Sequence, residues 1–157
     1  MLGRAYTDQV CSIAGALESI GERWTLLIIR DAFLGVRRFD DFQRSLGIAR
    51  NILTARLATL VEQGILERSR YQERPERFEY RLTEKGVDLW PTLVSLLQWG
   101  DRHVHPGDPP VVITHRGCGG TLTEHRTCAS CGQQLGPHDV NASRRRQEHE
   151  RRAPAVA

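Results

Sequence analysis

Residues 21–71 read GERWTLLIIRDAFLGVRRFDDFQRSLGIARNILTARLATLVEQGILERSRY. The spacing of their apolar residues predicts a helix, a short helix, a turn, a longer helix and a strand. Arginines stand at the ends of these elements that would face a polyanion. This order is the layout of a winged helix-turn-helix, so the sequence indicates DNA as the first partner to consider.

Each predicted helix of this region carries an inner stripe of apolar residues and stops at a glycine. The second of them is apolar on nearly every face, which predicts that it is the central buried helix. The predicted helices are residues 10–17 before Gly21, 24–34 before Gly35, 38–46 before Gly47 and 50–63 before Gly64.

A hairpin and a last helix complete the predicted domain. Residues 66–71 and 78–82 are expected to be strands, because apolar and charged residues alternate in FEYRL at 78–82. QERPER at 72–77 is the expected hairpin tip. Thr83 is expected to cap a helix that runs to about residue 103, with a kink at Pro91.

The helix predicted over residues 50–63 carries the candidate base-reading side chains. Its first turns would present side chains to base edges in the major groove, where arginine binds guanine and asparagine binds adenine through two hydrogen bonds. Arginines before the short helix and at the hairpin tip suit phosphates or the minor groove. The alternative is that each is an ordinary solvated residue. The predicted DNA-binding residues are Arg37, Arg38, Arg50, Asn51, Thr54, Arg56, Arg74 and Arg77.

Composition narrows the class of protein. The formal net charge of +3 is too small to identify a nucleic-acid binder, so the placement of charge carries that argument. Lys85 is the one lysine among 22 basic residues, and arginine suits phosphates and guanine edges better. A GC-rich genome is the alternative explanation for this bias.

The sequence predicts a cytoplasmic protein with no membrane partner. Its apolar runs are shorter than a membrane span, and residues 1–9 lack the apolar segment of a signal peptide. In the cytosol, four cysteines favour free thiols or metal ligands over structural disulfides.

Three of the cysteines lie in HRGCGGTLTEHRTCASCGQQL, residues 115–135. His115 and Cys118 have the same two-residue gap as Cys128 and Cys131, and two such pairs predict one tetrahedral zinc site. His125 and His138 are alternatives for the fourth ligand. The competing interpretation is three reduced thiols in a loose tail, or a disulfide formed on oxidation.

These patterns predict a mainly α protein with a small β-hairpin wing, an α+β winged helix-turn-helix with a zinc-ribbon-like C-terminal appendage. Residues 1–104 are expected to form the DNA-binding and dimerisation domain, because they hold nearly all the large apolar residues. Residues 105–110, with three prolines and a glycine, are the expected linker. Residues 111–139 are the expected zinc-ribbon extension, and residues 140–157 the expected disordered tail.

Residues 11–100 resemble the HxlR family of bacterial winged helix-turn-helix transcriptional regulators. The matching text is Cys11, GERWTLLIIRDAFLGVRRFDDFQRSLGIA, LTARLATLVEQGILERSRY, RPERFEYRLTEKG and LLQWG. The resemblance implies a homodimer that binds a pseudo-palindromic operator, with residues 10–17 and 89–99 in the dimer interface. Some family members carry a similar Cys-rich extension. The chain departs from the family at Ser12, usually proline, and at Ala49, usually a serine that opens the recognition helix.

An oxidant and a small molecule are the two candidate signals for such a regulator. Some relatives use a cysteine at the position of Cys11 as an oxidant sensor, but the sequence favours a small buried core residue there. The space between the apolar helices leaves room for a small-molecule effector, and no residue set identifies one.

The sequence predicts that the protein is not an enzyme. A zinc deaminase would have His-x-Glu before Pro-Cys-x-x-Cys, whereas Thr127 precedes the Cys pair here. Glycine-rich phosphate loops and nucleophile elbows are also absent from the sequence. The alternative to a DNA-binding regulator is a zinc-ribbon and winged-helix module that binds protein, and a salt-dependent shift of random DNA would count against it.

Overall fold

The computed structural model describes residues 10–144. The chain divides into two compact units between Leu89 and Trp90. The elements of the described residues, in chain order, are α1 Ser12–Ile20, α2 Thr25–Phe33, α3 Phe39–Leu46, α4 Arg50–Glu62, β1 Leu66–Gln72, β2 Arg77–Leu82, α5 Glu84–Val87, α6 Trp90–His103, β3 Val111–His115 and β4 Val140–Arg144. The structure therefore has the predicted fold class, a winged helix-turn-helix with a small β-rich appendage.

The first unit is built on an apolar core from α2, α3 and α4. The leucines of α4 recur at helical spacing and point inward, which is why this segment packs as an amphipathic helix. The central position predicted for α2 is confirmed by its fully buried Ile28, Ile29 and Ala32. The other buried apolar residues of these helices are Phe42, Leu53, Leu57 and Leu60.

The turn between α3 and α4 sets the direction of the second helix. Gly47 has φ +61°, a left-handed conformation that glycine adopts without the strain a Cβ would cause. Ala49 then stands at the N-cap of α4 with extended backbone and gives no side-chain hydrogen bond to the helix. As the sequence predicts, α4 begins without a side-chain cap.

The wing is an antiparallel hairpin of β1 and β2, with Leu66 opposite Leu82 and Arg70 opposite Phe78. Residues just before α3 extend its edge, because the Tyr80 amide donates to the Arg37 carbonyl at 2.8 Å. This hydrogen bond ties the wing to the start of the helix-turn-helix.

The predicted last helix is wrong in one respect, because it forms as two pieces. Thr83 accepts a hydrogen bond from the Gly86 amide at 3.1 Å and so caps the short α5, as expected. The break comes after Val87, and α6 begins at Trp90. Pro91 lies in the first turn of α6, where its missing N–H removes no internal hydrogen bond, so it starts a helix instead of kinking one.

The second unit combines α6 with a small β structure. β3 pairs antiparallel with β4, Val111 opposite Arg144 and His115 opposite Val140. Between these strands, isolated bridges join Thr114 to Thr121, Leu122 to Cys128 and Thr127 to Gln134. A buried cluster of Cys128, Leu135 and Val140 fills the centre, with Trp90, Ile113 and Leu122 packed against it.

The division into units places α6 with the β structure, whereas the predicted domain boundary lies after residue 104. Compact units need not be independent domains, so the predicted domain boundaries stay a prediction. The predicted disordered tail differs from the structure over its first five residues, which form β4. Polar composition suggested disorder there, but main-chain pairing with β3 does not depend on side-chain polarity. Residues 145–157, the rest of that tail, lie outside the described residues.

Within residues 10–144, each helix is either too short or too polar to span a lipid bilayer.

Candidate DNA-binding surface and metal centre

The first turns of α4 present polar side chains to solvent, as predicted. Arg50, Asn51 and Thr54 are exposed. The Thr54 hydroxyl donates to the Arg50 carbonyl at 2.9 Å. The Arg50 guanidinium lies 4.7 Å from the Phe39 ring centroid and 3.9 Å from an Asp40 carboxylate oxygen. Both contacts steady an arginine that stays largely in solvent.

The outer face of α4 also contains exposed residues that were not among the predicted DNA-binding residues. Ile52 is 38% exposed although it is a large apolar side chain. Ala55 and Ala58 are exposed as well, and their small side chains leave the middle of the helix flat. The spacing of the buried leucines excludes Ile52 from the inner stripe, so this position was visible in the sequence.

Three predicted DNA-binding arginines are engaged by the fold itself. The Arg37 guanidinium donates to the Ala32 carbonyl at 2.7 Å and so closes the end of α2. Arg38 lies 3.5 Å from a Glu79 carboxylate oxygen and stacks on Tyr71 at 4.6 Å. Arg56 is half-buried, and its guanidinium lies 3.4 Å from a Glu22 carboxylate oxygen. For Arg37 this geometry favours a structural role over DNA contact.

The wing tip carries both signs of charge. Arg74 and Arg77 are exposed there. Arg70 lies 3.7 Å from Glu73 and 3.4 Å from Glu76, so these two carboxylates are already partnered by a neighbouring arginine. The exposed arginines of the tip are therefore the ones placed to reach a phosphate.

The sequence favoured Cys11 as a buried core residue, and the structure shows that this prediction is wrong. Cys11 stands at the N-cap of α1, and its thiol is exposed. The amide groups of Ala14 and Ile13 lower the pKa of Cys11, because free N–H groups at a helix start stabilise the thiolate. Side-chain periodicity placed Cys11 beside the apolar stripe but could not show that α1 leaves this stripe in solvent.

The structure brings the four predicted metal ligands together. The Nδ1 atom of His115 lies 3.3 Å from the Cys118 sulfur and 3.4 Å from the Cys131 sulfur, and the sulfurs of Cys118 and Cys128 are 3.3 Å apart. All four donor atoms lie within 4.8 Å of one another. The alternatives for the fourth position, His125 and His138, are outside this cluster.

The backbone around the cluster is shaped for sulfur. A Cβ on Gly120 would lie 2.5 Å from the Cys128 sulfur and 2.5 Å from the Ser130 hydroxyl, so only glycine fits this close approach. The Cys131 amide, with the Ser130 amide and the adjacent thiols, lowers the pKa of Cys128 to about 6 against the opposing effect of burial. A lowered pKa suits a metal ligand, because the thiolate is the form of cysteine that binds metal.

The cluster fits a small tetrahedral ion. Zinc bonds of about 2.3 Å to sulfur and about 2.0–2.1 Å to nitrogen require donor atoms about 3.6–3.8 Å apart. The three separations of 3.3–3.4 Å would expand slightly to reach that value, and the widest pair, within 4.8 Å, would close to it. The donor set of one imidazole and three thiolates is one that structural zinc sites use.

The helices α1 and α6 each expose several apolar side chains. At α1 these are Ile13, Leu17 and, just before its start, Val10. At α6 they are Leu96, Trp99 and, just beyond its end, Val104. Each face is what a homodimer interface would cover, and the predicted dimer stays a prediction.

Comparison with known proteins gives a consistent result. Residues 19–108 match the family model of HxlR-like helix-turn-helix proteins. An uncharacterised HTH-type transcriptional regulator of Mycobacterium tuberculosis strain H37Rv is 48% identical over 130 residues, which are 82% of this chain and 82% of that protein. That length exceeds residues 1–104, so the similarity continues into the Cys-rich part.

Solved structures agree with this similarity. The crystal structure of PA1607, assigned as a transcription factor, is 40% identical with a TM-score of 0.69, and the match covers 89% of this chain and 99% of that one. The redox regulator HypR in its reduced form is 32% identical with a TM-score of 0.56, over 60% of this chain and 97% of HypR.

Proposed function

Because this chain belongs to the HxlR family and is a DNA-binding transcriptional regulator, we propose that it binds a pseudo-palindromic operator as a homodimer and reads bases through α4. One observation carries the base-reading proposal, the exposure of Arg50, Asn51 and Thr54 on the first turns of that helix. Arginine and asparagine there suit guanine and adenine edges in the major groove.

The outer face of α4 supports close docking to bases. Ala55 and Ala58 keep the helix flat, and the exposed part of Ile52 suits the methyl group of a thymine. Arg38 and Arg56 would contact phosphates of the DNA backbone. Each would exchange its present carboxylate partner, Glu79 or Glu22, for a phosphate. Arg74 and Arg77 of the wing contact phosphates of the DNA backbone, and such contacts carry no sequence information.

Selection from random-sequence duplexes tests this proposal. We expect the selected DNA to contain inverted half-sites, and its affinity to fall with rising salt as phosphate contacts are lost. DNA affinity that is negligible at every salt concentration would instead favour the alternative, a module that binds protein.

We further propose that His115, Cys118, Cys128 and Cys131 hold one structural zinc ion. The separations of the donor atoms and the lowered pKa of Cys128 support this assignment. Four protein ligands close the site and leave no position for a reacting water, so the metal would stabilise the fold without doing chemistry. We accordingly propose that the protein acts by binding and not by catalysis.

Elemental analysis of protein purified without chelator tests the metal assignment. We expect about one zinc per chain, as one closed four-ligand site requires. Cys131→Ser should lose most of it, and Cys11→Ser is the matched control that should keep it. Metal-free wild-type protein whose residues 111–144 still resist protease would contradict the assignment.

An oxidant response through Cys11 is a separate proposal. The similar protein HypR is a redox regulator, and the exposed Cys11 thiol with its lowered pKa is suited to oxidation. A small-molecule effector stays a prediction, because no described residue set identifies one. Because a transcriptional regulator must reach DNA, we propose that the protein is cytoplasmic.

A further inference from the structure

One face of the helix α6 contacts the metal-binding part of the chain, and another face is exposed and apolar. Gln98 and Arg102 are one turn apart and contact the metal-binding part of the second unit. Leu96 and Trp99 project elsewhere on the helix and are about half exposed. One face is therefore held within the chain, and the other is the apolar face that a second copy would cover.

The held face contacts a hairpin tip, residues 123–127, which we name the ribbon tip. The Gln98 side-chain amide donates to the Thr123 carbonyl at 2.8 Å, and the Arg102 guanidinium forms an ion pair with Glu124. The same Thr123 carbonyl accepts from the Arg126 amide at 3.0 Å, so the tip is closed where α6 contacts it.

The base of the ribbon tip lies at a metal ligand. Leu122 and Cys128 form a β-bridge directly below the tip, and the hydroxyls of Thr123 and Thr127 share a 2.7 Å hydrogen bond across it. At the start of α6, the Trp90 ring packs on the cluster that contains Cys128. The segment that follows Cys131 also holds the tip. The Gln134 side-chain amide donates to the His125 carbonyl at 3.3 Å, and the Leu135 amide donates to the Arg126 carbonyl at 2.8 Å. The order of the tip therefore depends on what fixes Cys128 and Cys131.

We propose that occupancy of the metal site is transmitted to α6 and regulates the dimer. This inference rests on the proposed zinc site and on the proposed dimer. With Cys128 fixed by the ion, the ribbon tip holds Gln98 and Arg102, and the apolar face of α6 has one defined orientation. Without the ion the tip loosens, α6 loses its contacts along one face, and a second copy finds a less ordered surface to bind.

Hydrogen exchange and sedimentation of the full chain, with zinc and after its removal by a chelator, test the coupling. We expect faster amide exchange in residues 90–103 and a dimer dissociation constant at least about fivefold higher after chelation, the factor that the loss of one hydrogen bond would produce. The double substitution Gln98→Ala with Glu124→Gln should keep its zinc but already behave like the chelated wild type.

The matched control is Ser95→Ala, since the Ser95 hydroxyl donates within α6 to the Pro91 carbonyl at 2.9 Å. This variant should respond to chelation as the wild type does. Zinc-loaded wild type whose α6 exchange and dimer constant are unchanged by chelation would overturn the coupling alone. Protein that never binds zinc would overturn the metal site and the coupling with it, and elemental analysis separates these two outcomes.

Discussion

Cys11 shows how one residue's reactivity is set by its place on a helix. The neighbours of Cys11 along the chain can be read from the sequence, but its exposure cannot, because exposure depends on which surface of α1 is left without a partner. At the N-cap, the Ala14 and Ile13 amides stabilise the thiolate and lower the pKa of Cys11. The sign of the shift means that the thiolate persists to lower pH than in a free cysteine.

The pH dependence of the alkylation rate tests the lowered pKa of Cys11. In zinc-loaded protein at neutral pH, iodoacetamide should modify Cys11 ahead of the three thiols that the metal protects, and the midpoint of its pH profile should lie below that of free cysteine. Cys11→Ser should lose this fast phase. A midpoint at or above that of free cysteine would contradict the lowered pKa.

The metal ligands and the arginines differ in how far the sequence could predict them. His115, Cys118, Cys128 and Cys131 were predictable as a set, because metal ligands come in locally spaced pairs. The role of Arg37 was not, because its hydrogen bond to the Ala32 carbonyl depends on how the end of α2 meets the next segment. An arginine's partners are a property of the folded chain.

Among the elements, α4 combines the proposed base-reading role with a start that lacks a side-chain cap. The sequence predicted this helix and its inner leucines, because helical spacing is a local signal. The break before α6 and the strand β4 were missed, since the first depends on where Pro91 falls in a helix turn and the second on pairing with the distant β3.

The missing cap of α4 leads to a stability prediction. Ala49 has φ −62° and ψ 139°, the backbone of an N-cap residue, but no side-chain oxygen for the free amides. Ala49→Ser should therefore raise the free energy of unfolding by about 1 kcal/mol. Chemical denaturation of this variant beside Ala55→Ser, an exposed mid-helix control that should be slightly destabilised, measures the effect. Equal changes in the two variants would exclude capping as the cause.

For the whole molecule, the exposed apolar faces of α1 and α6 motivate a homodimer. We expect sedimentation at micromolar protein to give twice the chain mass. Trp99→Glu should shift the protein toward monomer because it places a charge in the buried interface. Leu34→Glu is the control, since Leu34 is similarly exposed but lies at the end of α2. A stable wild-type monomer that binds a palindrome with full affinity would contradict the dimer.

Whether α4 reads the operator is decided by the affinities of its variants for a selected operator and for random duplex DNA. Arg50→Ala and Asn51→Ala should each weaken operator binding by about 1–3 kcal/mol and leave random-duplex binding much less affected, because they remove base contacts. Arg74→Ala at the wing should weaken both duplexes alike and reduce the salt dependence. Unchanged operator affinity in both the Arg50 and the Asn51 variants would show that α4 is not the reading helix.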